Sequence, residues 1–191
     1  MQHFDHYQMW LLLSLIVPSF QQRGLPLSAP CNLTVNMGDS PCNENATMRY
    51  HFDSKTLTCL PFKYTGCGGN ENNFEDSFSC SIRCIPVMDY HNCVANSPPV
   101  KRKDGSYICN SKAKCPAGST CIKGFVIGLC CDDKAYEKYL ANSKPDCGRK
   151  KVVKDTSVEY SMTLFGKTCE HQFCPEGAEC YQGAFYAYCC Q

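Results

Sequence analysis

Two residue types carry the chemistry available to this chain. Eighteen cysteines lie among 191 residues, and an even number at that density in so short a chain points to a disulfide framework formed in an oxidising compartment. Closely spaced cysteines are zinc ligands where thiols stay reduced. Here the even count and an apolar leader favour disulfides, so no metal and no cofactor is expected. Histidine is the second type. Beyond the leader only His51, His91 and His171 remain, and none has an acid and a nucleophile at a recognisable spacing, which leaves a hydrolytic triad without support. The chain is not expected to be an enzyme. Its formal charge of +1 offers no global field for nucleic acid or an anionic membrane.

The elements that position these residues begin after a leader. Met9 to Val17 (M-W-L-L-L-S-L-I-V) is an apolar run ended by Pro18, too short for a bilayer span of about 20 residues. It reads as the core of a secretory signal peptide spanning residues 1–19, with Val17 and Ser19 meeting the small-residue requirement for cleavage after Ser19. The protein is therefore expected to be secreted and extracellular, with no membrane span. The cysteines then divide without remainder into three groups of six, within residues 31–84, 93–131 and 147–190.

The second and third groups repeat one another. Cys115 to Cys131 reads C-P-A-G-S-T-C-I-K-G-F-V-I-G-L-C-C and Cys174 to Cys190 reads C-P-E-G-A-E-C-Y-Q-G-A-F-Y-A-Y-C-C, a duplicated module with the same proline and glycines. Each is about 40 residues, a size at which covalent staples replace a large core. Pro and Gly in C-P-x-G set a chain reversal. The apolar runs Phe125–Leu129 and Ala184–Tyr188 read as short strands feeding the terminal cysteine pair. Adjacent cysteines bridge each other only through a strained ring, so each pairs elsewhere, although six cysteines allow 15 connectivities and spacing does not choose among them. The repeats resemble the lustrin-type cysteine-rich repeat. The linkers are Ile85–Asn92 and Asp132–Asp146, the second with the composition of a short charged helix.

In the first group, Cys59 to Cys84 reads C-L-P-F-K-Y-T-G-C-G-G-N-E-N-N-F-E-D-S-F-S-C-S-I-R-C, with seven, twelve and three residues between successive cysteines. With Phe62, Tyr64, Gly66, Gly69, Asn70, Asn72 and Phe74 at their positions, this stretch resembles the second half of a Kunitz domain. The resemblance implies a small disulfide-rich α+β fold, a twisted β-hairpin plus a C-terminal helix, with bridges Cys31–Cys84, Cys42–Cys67 and Cys59–Cys80. Two small, mostly β and loop repeats follow it. The residues agree locally: Arg49–Phe52 alternates as a strand, Asp53 and Ser54 supply a turn, Thr56–Tyr64 returns, and Asp76 is placed to cap a closing helix.

Kunitz inhibitors bind serine proteases through a preorganised, substrate-like loop around the second cysteine. Carried over residue by residue, that loop is Pro41, Cys42, Asn43, Glu44 and Asn45, with Asn43 entering the primary specificity pocket. Pro41 fits the family. Asn43 supplies neither the basic side chain that a trypsin-like pocket pairs with nor a large apolar one, Glu44 replaces a small residue, and Ser40 stands where glycine is usual. Leaving these polar groups unpaired on burial costs several kcal/mol. Ten residues separate Cys31 from Cys42 and sixteen separate Cys42 from Cys59, longer than the family pattern by two and by one. Asn45-Ala46-Thr47 and Asn32-Leu33-Thr34 are glycosylation sequons, one of them inside the loop. The expected partner is an extracellular serine protease engaged by an atypical, non-basic loop, and the alternative is a structural or adhesive matrix (cuticle) protein that uses the Kunitz fold as scaffold.

Two further patterns bear on partners. Lys101-Arg102-Lys103 and Arg149-Lys150-Lys151, extended by Lys154, are either basic patches for a matrix protein or sulfated polysaccharide, processing sites, or solvated loops. Tyr181, Phe185, Tyr186 and Tyr188 read either as packing within the last repeat or as an exposed binding or cross-linking surface.

Overall fold

The computed structural model describes residues 27–85, 92–124, 127–156 and 162–191. The leader at residues 1–19 lies outside these, as do Phe125 and Val126 of one expected strand. Nine disulfides use all eighteen cysteines, and each joins two cysteines of the same group of six.

In the first module, strand β1 (Thr47–Asp53) pairs antiparallel with β2 (Thr58–Tyr64), Asp53 opposite Thr58. The turn falls one residue later than the sequence suggests, over Ser54–Leu57. Asp53 stays in the ladder while its carboxylate accepts from Thr56 N at 3.1 Å and Thr56 Oγ1 at 2.5 Å, and Leu57 takes φ +54°. Helix α1 (Ser77–Cys84) starts at Asp76, whose Oδ1 accepts from Ser79 N at 2.7 Å. Cys80 and Cys84, four apart and therefore on one face, are buried and bridged to Cys59 and Cys31. Asn72, fully buried, closes the module: Oδ1 accepts from Phe52 N at 2.8 Å, and Nδ2 donates to Leu33 O at 2.7 Å and Phe52 O at 2.9 Å.

Alternation gives this hairpin two faces. Tyr50, Phe52 and Cys59 form one core with Cys31, Cys80 and Cys84. The opposite face carries His51, Leu60 and Phe62, also buried, and is covered by the third module.

Both repeats share one topology. In the second module β3 (Ile108–Cys109), β4 (Ser119–Lys123) and β5 (Gly128–Asp132) form a sheet ordered β3-β5-β4. The linker helix α2 (Asp133–Ser143) follows directly, its first turn capped by Asp132 accepting from Ala135 N at 2.8 Å. The third module adds a small pair, β6 (Lys154–Asp155) and β7 (Met162–Thr163), to a sheet of β8 (Phe165–Gly166), β9 (Glu179–Gln182) and β10 (Ala187–Cys190), ordered β8-β10-β9. The central strand of each sheet holds the adjacent cysteine pair, whose side chains point to opposite faces. Hence Cys130 reaches Cys115 and Cys131 reaches Cys93, while Cys189 reaches Cys174 and Cys190 reaches Cys147. Cys109–Cys121 and Cys169–Cys180 complete the sets.

The strand expected at Ala184–Tyr188 begins only at Ala187. Ala184–Tyr186 is instead the hairpin tip, held by buried Asn142 of α2: its Oδ1 accepts from Phe185 N at 2.8 Å and Tyr186 N at 2.9 Å. Tyr186 is buried, with its hydroxyl 3.0 Å from Thr58 Oγ1, whereas Tyr181 is exposed and stacks on Tyr188 at 5.8 Å.

Replacing Asn72 with Ala removes three hydrogen bonds and strands the Phe52 amide in the core. An unfolding free energy lower by about 2–4 kcal/mol is expected in denaturant titration, with all nine disulfides retained.

Candidate functional site

The sequence-predicted loop stands at one end of the Kunitz hairpin. Pro41, Asn43, Glu44, Asn45 and Ala46 are exposed and Cys42 is half-buried. The loop is held from beneath. Cys42 is bridged to Cys67 with Cα atoms 5.9 Å apart. Asp39 N donates to Cys67 O at 2.8 Å and Thr65 N donates to Met37 O at 2.9 Å, which ties the ascending limb to the segment after β2. The lengthened Cys31–Cys42 stretch folds back over Asn36, whose side chain accepts from Gly38 N at 3.0 Å.

Close approach makes glycine necessary beneath the loop. Gly66 has φ +101°, and a Cβ there would stand 2.5 Å from Glu44 Cβ. The descending limb thus rests directly on the Gly66 backbone. Glu44 N points back at Cys42 Sγ at 3.4 Å, and Asn43 between these two residues is exposed. Asn70 Nδ2 donates to Thr34 O at 2.8 Å, and Tyr64 OH donates to Gly68 O at 2.7 Å. These contacts fix the base of the loop without touching its tip. Preorganisation of this kind lowers the ordering cost of association.

Both sequon asparagines, Asn32 and Asn45, are exposed. Asn45 lies two residues beyond Asn43, within the surface that a docked macromolecule would cover. Among the described residues the three-ligand cysteine group is Cys109, Cys115 and Cys130, and all three sulfurs are already in disulfides, which removes the thiolates a metal needs.

A Kunitz/Bovine pancreatic trypsin inhibitor domain profile matches residues 30–85. A BPTI/Kunitz inhibitor domain-containing protein of Caenorhabditis elegans is 36% identical over 162 residues, covering 84% of this chain and 89% of the relative. The chain belongs to the Kunitz/bovine pancreatic trypsin inhibitor family. Major allergen Ani s 1 of Anisakis simplex is 33% identical over 199 residues, all of this chain and 98% of that one. Both alignments run well past the Kunitz module into the repeats. The Kunitz-type anticoagulant protein Ir-CPI of Ixodes ricinus is 39% identical over 74 residues, 39% of this chain and 83% of the relative. The small disulfide-rich Kunitz fold with appended cysteine-rich modules is thereby established. No helix among the described residues is long and apolar enough to cross a membrane.

Sequence reasoning missed two groups near the Kunitz hairpin. The first is its covered second face. Lys167 Nζ of the third module pairs with Asp53 Oδ2 at 2.9 Å, and the rings of His51 and His171 meet edge to face at 5.2 Å. The second is a cleft of about 340 Å³ between Met48 and Tyr50 of β1 and Val153, Leu164, Phe173 and Pro175 of the third module. The alternation of Tyr50 and Phe52 with His51 reads as a half-buried strand and gave no signal that the second face of β1 is covered.

Gly66→Ala is expected to push the Glu44 limb outward while leaving α1 and the hairpin intact. Cleavage within Asn43–Ala46 by a nonspecific protease should accelerate at least about tenfold, with the melting temperature lowered by only a few degrees.

Proposed function

We propose that this protein is a secreted, stoichiometric serine-protease binder that presents Pro41–Asn45 as a substrate-like loop and performs no chemistry of its own. The observation that carries this reading is the exposed loop tip on a restrained base, tied down by Cys42–Cys67 and seated on Gly66. Nine disulfides support an extracellular setting. Asn43 selects against a trypsin-like pocket, whose buried acid requires a cation, because a neutral amide there leaves that charge unpaired. Glu44 adds a second carboxylate at the edge of the same site. The target class is a protease whose pocket accepts a small polar side chain, and a glycan on Asn45 restricts the set further.

A second reading, retention on an acidic matrix, is favoured by charge segregation. Between Cys93 and Cys131 lie Lys101, Arg102, Lys103, Lys112, Lys114 and Lys123 against Asp104 alone, a net charge of +5 in a chain of +1. Lys103 and Lys114 are exposed and line one cleft with Arg102, whose guanidinium is held by Asp104 at 2.8 Å. A sulfated polysaccharide fits this surface. It is distant in sequence from the loop and compatible with protease binding. On a heparin column the protein should be retained at physiological salt, and Lys103→Ala/Lys114→Ala should elute at clearly lower salt; equal elution of the two would remove the patch from the account.

The loop reading is tested by inhibition constants for the glycosylated protein. Trypsin should be inhibited weakly or not at all, and Asn43→Lys alone should not bring tight inhibition. Replacing Cys42–Met48 with a loop of family length that has a basic residue after the cysteine and no sequon should. Nanomolar inhibition of trypsin by the unmodified protein would overturn the assignment.

A further inference from the structure

The contact between the Kunitz hairpin and the third module is built around two histidines that have almost nothing to bond. His51 is 2% exposed and His171 is 9% exposed. Among the described residues, and apart from the Phe52 backbone beside His51, neither ring nitrogen of His51 nor Nδ1 of His171 has a hydrogen-bond partner, and Thr168 Oγ1 on the same turn is unpartnered as well. The rings meet at 5.2 Å, and the far edge of His51 meets Phe62 at 5.7 Å. Burying neutral polar nitrogens without partners is unfavourable, and burying them charged is far more so.

We propose that this contact is an acid-released interface, closed while the His51–His171 pair is uncharged and opened when the pair is protonated. The other elements around the pair contribute three charged groups: Asp53 from β1, Lys167 from the end of β8, and Glu170 beside His171. Asp53 and Lys167 neutralise each other across the interface. Although burial opposes it, the Thr56 and Lys167 hydrogen bonds hold the Asp53 carboxyl below its ordinary value, so this ion pair survives mild acid. β2 offers Thr58, Leu60 and Phe62, and the hairpin tip before β10 offers the Tyr186 hydroxyl, none of which compensates a cation. A protonated pair would therefore set two like charges 5.2 Å apart in a poorly solvated site next to Lys167.

Burial first, and the neighbouring His171 second, push His51 down from 6.5 to about 4; burial likewise lowers His171. The closed state thus favours the neutral rings. Its advantage is complete above about pH 6.5, where the released histidine is also neutral, and falls progressively as the pH drops toward about 4. Release does not require unfolding, because no disulfide joins the two modules and each keeps three of its own. It would uncover Leu60 and Phe62 on the hairpin that carries the loop.

The test is NMR on the full oxidised chain between pH 7.5 and 4.5. Cross-interface NOEs from Leu60 and Phe62 to Phe165–His171 should be lost on acidification while NOEs within each module persist. The open-to-closed ratio should rise on the order of 10²-fold if His51 alone carries the effect. His51→Phe and His171→Phe should each flatten the profile. If one variant loses its internal NOEs, the other decides. Cross-interface NOEs that remain unchanged at pH 4.5, or a loss that persists in the folded variants, would overturn the proposal.

Discussion

Closure of each group of six cysteines on itself is the constraint from which the rest of the structure follows. In all three modules the first cysteine pairs with the sixth, the second with the fourth and the third with the fifth. Each bridge contributes roughly 2–4 kcal/mol, in the usual account by restricting the unfolded chain, which is large against the burial available to modules of this size. Because the framework is covalent, it can carry features that a marginal core would not tolerate. Such features are the exposed loop at Pro41–Asn45, the Gly66 backbone pressed against Glu44, and the unpartnered histidines of the module contact.

The Kunitz hairpin distributes these functions between its surfaces and its end. One face closes on α1 through Phe52, Cys59 and Cys80, and the other accepts the third module through Asp53–Lys167, Thr58–Tyr186 and the histidine pair. The end away from the β1–β2 turn holds the loop. Docked on this face, the third module leaves Pro41 and Asn43–Asn45 exposed. The second module, carrying the positive charge, is attached through α2, whose Asn142 caps the Phe185–Tyr186 tip of the third.

Much of this was legible in the sequence. The spacing of Cys59, Cys67, Cys80 and Cys84 with their intervening glycines and asparagines identified the first module, Asp76 marked the start of α1, and the Asp132–Asp146 linker did form a helix. The pairings within the repeats were not legible, because they depend on adjacent cysteines pointing to opposite faces of a central strand whose register spacing alone does not reveal. The apolar run Ala184–Tyr186 looked like strand but forms a turn, since the buried Asn142 amide, 43 residues before Phe185, supplies its hydrogen bonds. The module contact escaped for a related reason: His51, Asp53 and Thr58 alternate with apolar residues as a solvent-facing set would, and only the fold brings Lys167, His171 and Tyr186 over them.

In the proposed function, Asn43 is the residue offered to a protease. A substrate-like loop held by a disulfide is cut slowly, at one bond, and stays in one piece because Cys42–Cys67 spans the nick. Mass spectrometry of the non-reduced and reduced protein after incubation with stoichiometric trypsin-, chymotrypsin- and elastase-like proteases reads this directly. A protease which binds the protein should cut the Asn43–Glu44 bond and no other in the loop, with the mass separating into two chains only on reduction. Cleavage confined to the basic runs at Lys101–Lys103 or Arg149–Lys151, with Asn43–Glu44 intact and no complex formed with any protease, would contradict it.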